Sequence, residues 1–170
     1  MIIGNGDIAK ALKGIDDDKI YFASGISNSL EIRESEFKRE RYLLNEQDRR
    51  KRLVYFSSLS VFYSDTPYAK HKKSMEEFVK FNWNKYTILR LGNINWGNNP
   101  HTIINYLKNK IETGETLELQ STYRYIIDKK ELLYWIGMIP DFNCEMNIPG
   151  KRMHVTEIAA ELAKHGKIVL

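Results

Sequence analysis

A serine pair, a tyrosine and a lysine lie close together in "SSLSVFYSDTPYAKHKKS", residues 57–74. Tyr68 and Lys72 are four residues apart, and in a helix this spacing puts both side chains on one face. A phenol with an ordinary pKa of about 10 is a poor base at neutral pH, but a neighbouring ammonium favours the phenolate. Tyr68 can then exchange a proton with an alcohol, and a serine can hydrogen-bond the reacting oxygen. These residues predict acid–base chemistry on an alcohol or its carbonyl, although an exposed helix start stays an alternative.

The Tyr-x-x-x-Lys spacing alone selects no site, because the chain contains it at Tyr68/Lys72, Tyr106/Lys110 and Tyr125/Lys129. The first pair follows an apolar run that ends in serine. Thr66 and Pro67 predict a helix that begins just before that pair, since threonine caps helices and proline suits the first turn. The second pair lies within an amphipathic segment that no serine strand precedes, which favours a solvated pair. The third pair straddles a predicted junction between a strand and a helix.

A glycine-rich turn follows the first apolar run, in "MIIGNGDIAKAL", where Gly4, Gly6 and Ala9 give Gly-x-Gly-x-x-Ala. Small residues there let the backbone turn tightly and approach a pyrophosphate, which the helix N-terminus favours. The pattern predicts a dinucleotide-binding turn; an ordinary glycine turn is the alternative. The usual acidic ribose ligand roughly 20 positions later is missing. The aspartates at 16–18 precede the second strand, and we expect a solvated turn there.

The elements that must position these residues alternate along the chain, as in a parallel sheet covered by helices. Continuous apolar runs predict buried strands at residues 1–3, 20–23, 53–57 and 86–91. Helical spacing is found in five sets: Leu30, Phe37 and Leu44; Met75, Phe78 and Val79; Ile103, Ile104, Leu107 and Ile111; Leu132, Leu133 and Ile136; Val155, Ile158, Ala159 and Leu162. The order predicts an α/β fold, a Rossmann-like doubly wound parallel sheet, with a binding crevice at the carboxyl ends of its strands.

Composition fits one domain over residues 1–170, because 42% of the chain is hydrophobic and 12% is aromatic. The net charge of +4 suits anionic partners such as nucleotides and phosphosugars. The basic segment "DRRKR", residues 48–52, is expected to complement the carbonyl end of a helix rather than to contact nucleic acid.

Metal and membrane sites are not expected. Cys144 is the single cysteine, which excludes an internal disulfide, and the four histidines lack zinc-ligand spacing. No charged start precedes an apolar signal segment, and no apolar run approaches the roughly 18 residues of a membrane helix. The sequence therefore predicts a soluble, cytoplasmic protein.

Further segments follow the glycine turn in a fixed order: "IYFASGISNS", "LVYFSSLSVF", "YAKHK", "LRLGNINWG" and "YRYIID". Together they resemble the short-chain dehydrogenases/reductases, and within them the extended branch of sugar-nucleotide epimerases, dehydratases and ketoreductases. The segments resemble the fourth strand and its turn, the fifth strand with the catalytic serine, the Tyr-x-x-x-Lys motif, the loop beside the nicotinamide and a stretch near the nucleotide. The second and third strands of the family have no counterpart between Leu12 and Lys19, so the sheet is expected to be reduced in strand number.

The resemblance implies a catalytic role for Ser58, Tyr68 and Lys72, with Ser57 as the fallback serine. It implies NAD or NADP as the cofactor, bound by Gly4, Asn5, Gly6, Asp7, Ile8, Ala23, Ser24, Gly25, Ser57, Tyr68, Lys72, Gly92, Asn93 and Ile94. Arg124 is the expected ligand of a substrate diphosphate, with a substrate-side segment near residues 95–128; an ordinary surface ion pair is its alternative. The helices expected to begin near Leu30 and Thr66 resemble the pair through which the family dimerises, which predicts a homodimer with a four-helix interface.

The leading expectation is a small NAD(P)-dependent enzyme that oxidises, reduces or epimerises a carbohydrate carried on a nucleotide. One alternative is a dinucleotide-binding fold without turnover that serves as a redox sensor or assembly partner. A less favoured alternative is a basic nucleic-acid-binding module.

Overall fold

Strands and helices alternate along the chain in the computed structural model, which describes residues 1–15 and 17–167. The strands are β1 (Ile2–Ile3), β2 (Ile20–Phe22), β3 (Leu53–Ser58), β4 (Tyr86–Leu91), β5 (Asn93–Ile94), β6 (Tyr123–Ile127), β7 (Cys144–Ile148) and β8 (Lys151–His154). The helices are α1 (Asp7–Ala11), α2 (Glu34–Asn45), α3 (Pro67–Asn82), α4 (Ile103–Glu112), α5 (Lys129–Gly137) and α6 (Val155–His165). A 3₁₀ turn, Leu59–Phe62, follows β3 directly.

Two sheets organise these elements. The main sheet is parallel and has the order β1-β2-β3-β4-β7. The smaller sheet has the order β5-β6-β8, in which β6 runs parallel to β5 and antiparallel to β8. In the register of β3 with β4, Ser57 lies opposite Arg90 and Ser58 opposite Leu91.

Successive side chains of a strand point to opposite faces of a sheet, and helices bury both faces of the main sheet. On β3, Leu53 and Tyr55 pack with apolar residues of α2 and α3. Val54 and Phe56 pack on the opposite face with residues of α1 and α5. Helices therefore cover both faces, which confirms the predicted α/β, Rossmann-like, doubly wound fold.

A third apolar cluster lies on the smaller sheet. Ile126 of β6 and Met153 of β8 pack there against the apolar faces of α4 and α6, which contribute Ile104, Leu107, Val155, Ile158 and Leu162. This cluster holds α4 and α6 against β6 and β8.

The reduced strand number is also confirmed, since in the part of the chain that the structure describes β1 stands at an edge of the main sheet and pairs with β2 alone. The helix predicted from the Leu30 spacing is wrong at its start. Leu30 is 81% exposed, and α2 begins at Glu34, because the spacing of Leu30 from Phe37 crosses a loop. Of the aspartates expected in a solvated turn, Asp16 lies outside the described residues.

Asp17 departs from that expectation. Its half-buried carboxylate accepts a hydrogen bond from the Tyr21 hydroxyl at 2.7 Å and pairs with Lys19 at 3.1 Å. The carboxylate therefore fastens the loop before β2 to that strand.

The basic segment 48–52 follows the end of α2, and Arg49 donates to the side-chain oxygen of Asn45, the last residue of that helix, at 2.6 Å. Arg52 donates to the carbonyl oxygens of Tyr86 and Phe142, both at 3.1 Å, and to that of Asp141. These bonds join the chain entering β3 to the segments around β4 and β7. Among residues 1–15 and 17–167, no helix is both long and apolar enough to cross a bilayer.

Candidate active site

A cleft of about 910 Å³ lies at the carboxyl ends of the first four strands of the main sheet. This volume is at the upper end of the range for ligand pockets, about 300–1,000 Å³. The predicted site residues that line it are Asn5, Gly6, Asp7, Ile8, Ala23, Ser24, Gly25, Ser57, Ser58, Tyr68, Lys72, Gly92, Asn93, Ile94 and Arg124. Segments far apart in the sequence thus meet at one cleft.

Gly4 lies outside this lining and supports the turn from behind. Its φ is 124°, and a Cβ there would lie 2.5 Å from the carbonyl oxygen of Ala23. Only glycine fits such a close approach of the chain after β1 to the chain after β2.

The first two turns of α3 carry the tyrosine and the lysine. The Thr66 hydroxyl accepts the Ala69 amide at 3.3 Å, and Pro67 takes the first helical position, as the sequence predicted. Tyr68 is 8% exposed and Lys72 is 2% exposed. The alternative of an exposed helix start is therefore wrong for this pair.

The Tyr68 phenol lies in an environment that opposes ionisation. Burial raises the pKa of Tyr68; the charge of Lys72 and the nearby Ser58 hydroxyl act against that increase, and the charge of Glu40 adds to it. The net direction is upward. In the free protein the lysine thus does not produce the lowered pKa expected from the sequence.

Lys72 has partners deep in the protein. Its Nζ donates to Glu40 Oε1 at 2.9 Å, to the Tyr55 hydroxyl at 3.2 Å and to the Phe56 carbonyl oxygen at 3.4 Å. Glu40, on α2, is fully buried. Sequence reasoning missed this glutamate, which lies 32 residues before the lysine.

The two serines at the end of β3 have different surroundings. The Ser57 hydroxyl donates to Glu76 Oε1 at 2.5 Å within a buried network on α3 and β4. The Ser58 hydroxyl accepts the Ser60 amide at 3.2 Å, which caps the 3₁₀ turn, and it lies near the Tyr68 phenol. Of the two hydroxyls, that of Ser58 has the better position to reach an atom beside Tyr68.

The glycine turn leads into a helix of only five residues, α1. A Cβ on Gly6 would meet no atom within 4 Å, so the turn leaves open space in the cleft. The Asp7 carboxylate accepts the Asn99 amide at 3.0 Å, and its main-chain oxygen accepts the Trp96 indole N–H at 3.3 Å. These bonds tie the turn to the loop that follows β5.

The loop after β2 lies against the lysine. A Cβ on Gly25 would be 2.6 Å from Lys72 Nζ and 2.9 Å from Glu40 Oε1. Beside it, the Ser24 carbonyl oxygen accepts a hydrogen bond from Arg39 at 3.2 Å. A glycine at this position lets the backbone close over the ion pair.

The segment after β4 joins the two sheets. The Gly92 amide donates to the Ile148 carbonyl oxygen at 3.0 Å, and a Cβ on Gly92 would lie 2.4 Å from the Pro149 carbonyl oxygen. The Asn93 side chain donates to the carbonyl oxygen of Tyr125 at 3.1 Å. Arg124 donates to the Thr122 hydroxyl at 3.1 Å at the edge of the cleft.

The other two tyrosine–lysine pairs stand apart from this arrangement. Tyr106 is 52% exposed on α4, with Lys110 Nζ 6.0 Å from its ring centre. Tyr125 belongs to β6, whereas Lys129 opens α5, as predicted. Neither pair lines the cleft as a unit.

Sequence reasoning assigned no role in the site to the remaining cleft residues. They are Lys10, Ile26, Ser27, Ser29, Leu30, Arg39, Phe56, Ser60, Tyr63, Ser64, Thr66, Leu91, Asn98, Asn99, His101 and Thr102. Most of them lie in loops that only the tertiary fold brings to the cleft.

Comparison with known proteins gives matches to solved structures, whereas no family model and no curated protein matches the sequence. UDP-glucose 4-epimerase of Thermus thermophilus, in complex with NAD, matches with a TM-score of 0.69 and 15% identity, covering 94% of this chain and 65% of that one. The Bordetella bronchiseptica enzyme WbmG, in complex with NAD and UDP, matches with a TM-score of 0.69 and 14% identity, covering 89% and 57%. The chain shares the fold of these enzymes.

A third structure agrees with this result. UDP-glucose 4-epimerase of Thermotoga maritima, with UDP-glucose, gives a TM-score of 0.70 at 16% identity and covers 90% of this chain and 63% of that one. The chain thus spans less than two thirds of the length of each of these proteins. At such identities the likeness concerns the fold.

Proposed function

We propose that the chain is an NAD(P)-dependent oxidoreductase, epimerase or dehydratase of short-chain dehydrogenase type that acts on a nucleotide sugar or a related carbohydrate. Ser58, Tyr68 and Lys72 are its catalytic residues. The observation that carries this proposal is the burial of Tyr68 and Lys72 at the cleft, with the Ser58 hydroxyl next to the phenol. The fold shared with enzymes solved in complex with NAD supports it.

The open turn at Gly6 fits a dinucleotide, because a pyrophosphate needs close access to the backbone. NAD or NADP would be held by Asn5–Ile8, Ala23–Gly25, Ser57 and Gly92–Ile94, together with Tyr68 and Lys72, while Gly4 lets the chain behind the turn approach Ala23. When bound, the nicotinamide supplies or accepts a hydride.

The protein residues supply the proton transfer and the orientation. Tyr68 exchanges a proton with the substrate oxygen, and the Ser58 hydroxyl hydrogen-bonds that same oxygen. Arg124, at the edge of the cleft, binds the diphosphate of the nucleotide, since a planar guanidinium matches phosphate oxygens. The chain acts as one dinucleotide-binding domain, with a substrate side near residues 95–128.

Cofactor binding is tested by titrating the protein with NADH and NADPH while energy transfer from tryptophan to the nicotinamide is recorded. We expect saturable transfer, with Gly6→Ala weakening it. An absence of transfer with both cofactors would contradict the proposal.

Turnover is tested on a panel of nucleotide sugars with Tyr68→Phe. The matched control is Tyr106→Phe, which changes the tyrosine of the exposed pair on α4. We expect loss of activity in the first variant and wild-type activity in the second. Activity that survives Tyr68→Phe would show that the site is wrong.

The buried ion pair of Lys72 supports a second candidate function, a dinucleotide-binding redox sensor or assembly partner without turnover. All three N–H groups of this lysine bond to protein atoms in the free chain. This candidate predicts cofactor binding without turnover of any nucleotide sugar, so the two experiments above separate it from the enzyme.

We also propose a homodimer that forms through α2 and α3. Each helix exposes an aromatic side chain to solvent, Tyr42 at 65% on α2 and Phe81 at 91% on α3. Light scattering at micromolar concentration should give twice the monomer mass. A monomer mass throughout would contradict this proposal.

A further inference from the structure

Glu40 is a fully buried carboxylate in the middle of α2. Its Oε1 accepts hydrogen bonds from the Tyr55 hydroxyl at 2.7 Å and from Lys72 Nζ at 2.9 Å. Its Oε2 accepts the Ile26 amide at 2.9 Å and lies 3.1 Å from His71 Nε2. A buried carboxylate is costly unless it is paired and hydrogen-bonded, so this arrangement depends on Lys72.

The Lys72 ammonium donates all its hydrogen bonds to Glu40 and to groups beside it. An ammonium has three N–H groups, and here they serve Glu40, the Tyr55 hydroxyl and the Phe56 carbonyl oxygen. The backbone at Gly25 lies directly over the amine. Within the described part of the chain, the Tyr68 hydroxyl is not one of the acceptors of this amine.

Charged and polar groups face Tyr68 from several elements. Lys72 faces it from α3, Glu40 from α2, and Tyr55 and Ser58 from β3, while Tyr63 faces it from the segment after the 3₁₀ turn. Burial raises the pKa of the Tyr68 phenol, the Lys72 charge and the Ser58 hydroxyl lower it, and the Glu40 charge acts with burial by opposing part of the effect of Lys72. The ammonium therefore cannot act on the phenol as an isolated positive charge.

We propose that Glu40 is a positioning residue that makes the tyrosine–lysine pair a proton donor. Its carboxylate holds the Lys72 ammonium against β3 and neutralises it, so that Tyr68 stays a neutral phenol. This inference rests on the proposed function and adds a direction, the reduction of the carbonyl group of a keto sugar.

The step balances with a reduced nicotinamide as the reductant. The carbonyl carbon gains a hydride from it and forms a C–H bond, while the electron pair of the C=O π bond moves to the oxygen. That oxygen takes the proton of the Tyr68 hydroxyl, and the phenolate regains a proton from solvent. The sugar is reduced to an alcohol and the nicotinamide is oxidised.

The protonation of Tyr68 can be measured in the free protein by NMR of tyrosine labelled with ¹³C at Cζ. Tyr68→Phe assigns the resonance. In the wild type we expect Tyr68 to remain a phenol beyond about pH 10, the ordinary midpoint of tyrosine. In Glu40→Gln the midpoint should fall by about one pH unit, which is tenfold more phenolate at neutral pH.

Two further variants keep the proposal testable even where Glu40→Gln does not fold. Tyr55→Phe removes a neighbour of the ion pair but keeps both charges, so the Tyr68 midpoint should not fall. The double variant Glu40→Gln, Lys72→Met removes both charges, and the midpoint should not fall below that of the wild type, because the Lys72 charge lowers the pKa of Tyr68 more than the Glu40 charge raises it. A Tyr68 midpoint below about pH 8 in the wild type, or a drop of a full unit in the double variant, would overturn the proposal.

The rate of keto-sugar reduction separates this inference from the proposed function. In the wild type the rate should stay constant up to about pH 9, and in Glu40→Gln it should decline from a lower pH that matches the NMR midpoint. NMR midpoints as expected without turnover of any sugar would refute the proposed function and leave the role of Glu40 on the phenol intact. NMR midpoints that Glu40→Gln does not move would refute the role of Glu40, whatever the activity.

Discussion

Arg90 and Glu76 form a buried ion pair that fixes α3 to the main sheet, and its removal should be costly. Arg90 on β4 is 8% exposed and Glu76 on α3 is 2% exposed. Arg90 Nε lies 2.9 and 3.1 Å from the two carboxylate oxygens, and Nη2 lies 2.5 Å from Oε2. The Ser57 hydroxyl donates to the same carboxylate at 2.5 Å. The pair thus lies directly behind the serine end of β3.

Arg90→Met leaves the Glu76 charge buried with the Ser57 hydroxyl as its remaining partner among these groups. Breaking a buried pair from one side costs about 3–5 kcal/mol. For a chain of this size, each kcal/mol lowers Tm by about 2–4 °C, so Tm should fall by about 6–20 °C. Glu76→Gln should cost less, about 1–3 kcal/mol, because Arg90 keeps Glu145 and Asn147 as partners.

Urea unfolding and thermal unfolding, both followed by tryptophan fluorescence, measure the changes in free energy and in Tm, since Trp83 is buried and reports on the core. Arg50→Met is the matched control. Arg50 pairs with Asp48 at 2.9 Å, but its side chain is 91% exposed, and we expect no measurable change. An unfolding midpoint for Arg90→Met equal to that of Arg50→Met would refute the account of the buried pair.

Gly25→Ala should lower the free energy of unfolding by about 1–3 kcal/mol, and with it the urea midpoint, because the added methyl group would press on Lys72 and Glu40. Gly6→Ala should leave the midpoint of the free protein unchanged while weakening NADH binding; equal midpoints for the two variants would contradict this packing. Burial of Glu40 raises its pKa, but the Lys72 charge and the hydrogen bonds to the carboxylate together outweigh this effect. The pKa of Glu40 therefore lies below its ordinary 4.5. The ionised Glu40 carboxylate therefore contributes to stability above about pH 4.5, and this contribution is lost as the pH falls toward the folded-state pKa. Unfolding in urea at several pH values should show a steeper acid loss for the wild type than for Glu40→Gln, and parallel curves would be the contrary result.

The sequence predicted the parts of the fold that local patterns determine. Thr66 and Pro67 marked the start of α3, and continuous apolar runs marked β1 to β4. β7 was missed because its first four side chains alternate between half-buried and exposed and only Ile148 is buried, so "CEMNI" contains no apolar run. β5 and β8 are too short to give a pattern of their own.

In the candidate site as well, the sequence predicted only what local spacing determines. Tyr68 and Lys72 are one helical turn apart, so their shared face could be predicted from spacing. Glu40 could not be found, because in "ESEFKRERYLLN" it resembles a surface charge on an amphipathic helix. Its contact with Lys72 spans 32 residues and exists only once α2 and α3 pack side by side. The raised pKa of Tyr68 follows from that packing and from burial, neither of which the spacing contains.

The close packing of the backbone around Gly92 limits which residues the floor of the cleft can contain. Three backbone segments converge on that position, and a side chain there would strike the Pro149 and Tyr125 carbonyl oxygens at 2.4 and 2.8 Å. The floor between the two sheets therefore has no space for a side chain at position 92. The rim is less constrained, since Tyr63 and His101 stand exposed on loops there, and mutant libraries that aim to change what the cleft admits should start with those two positions.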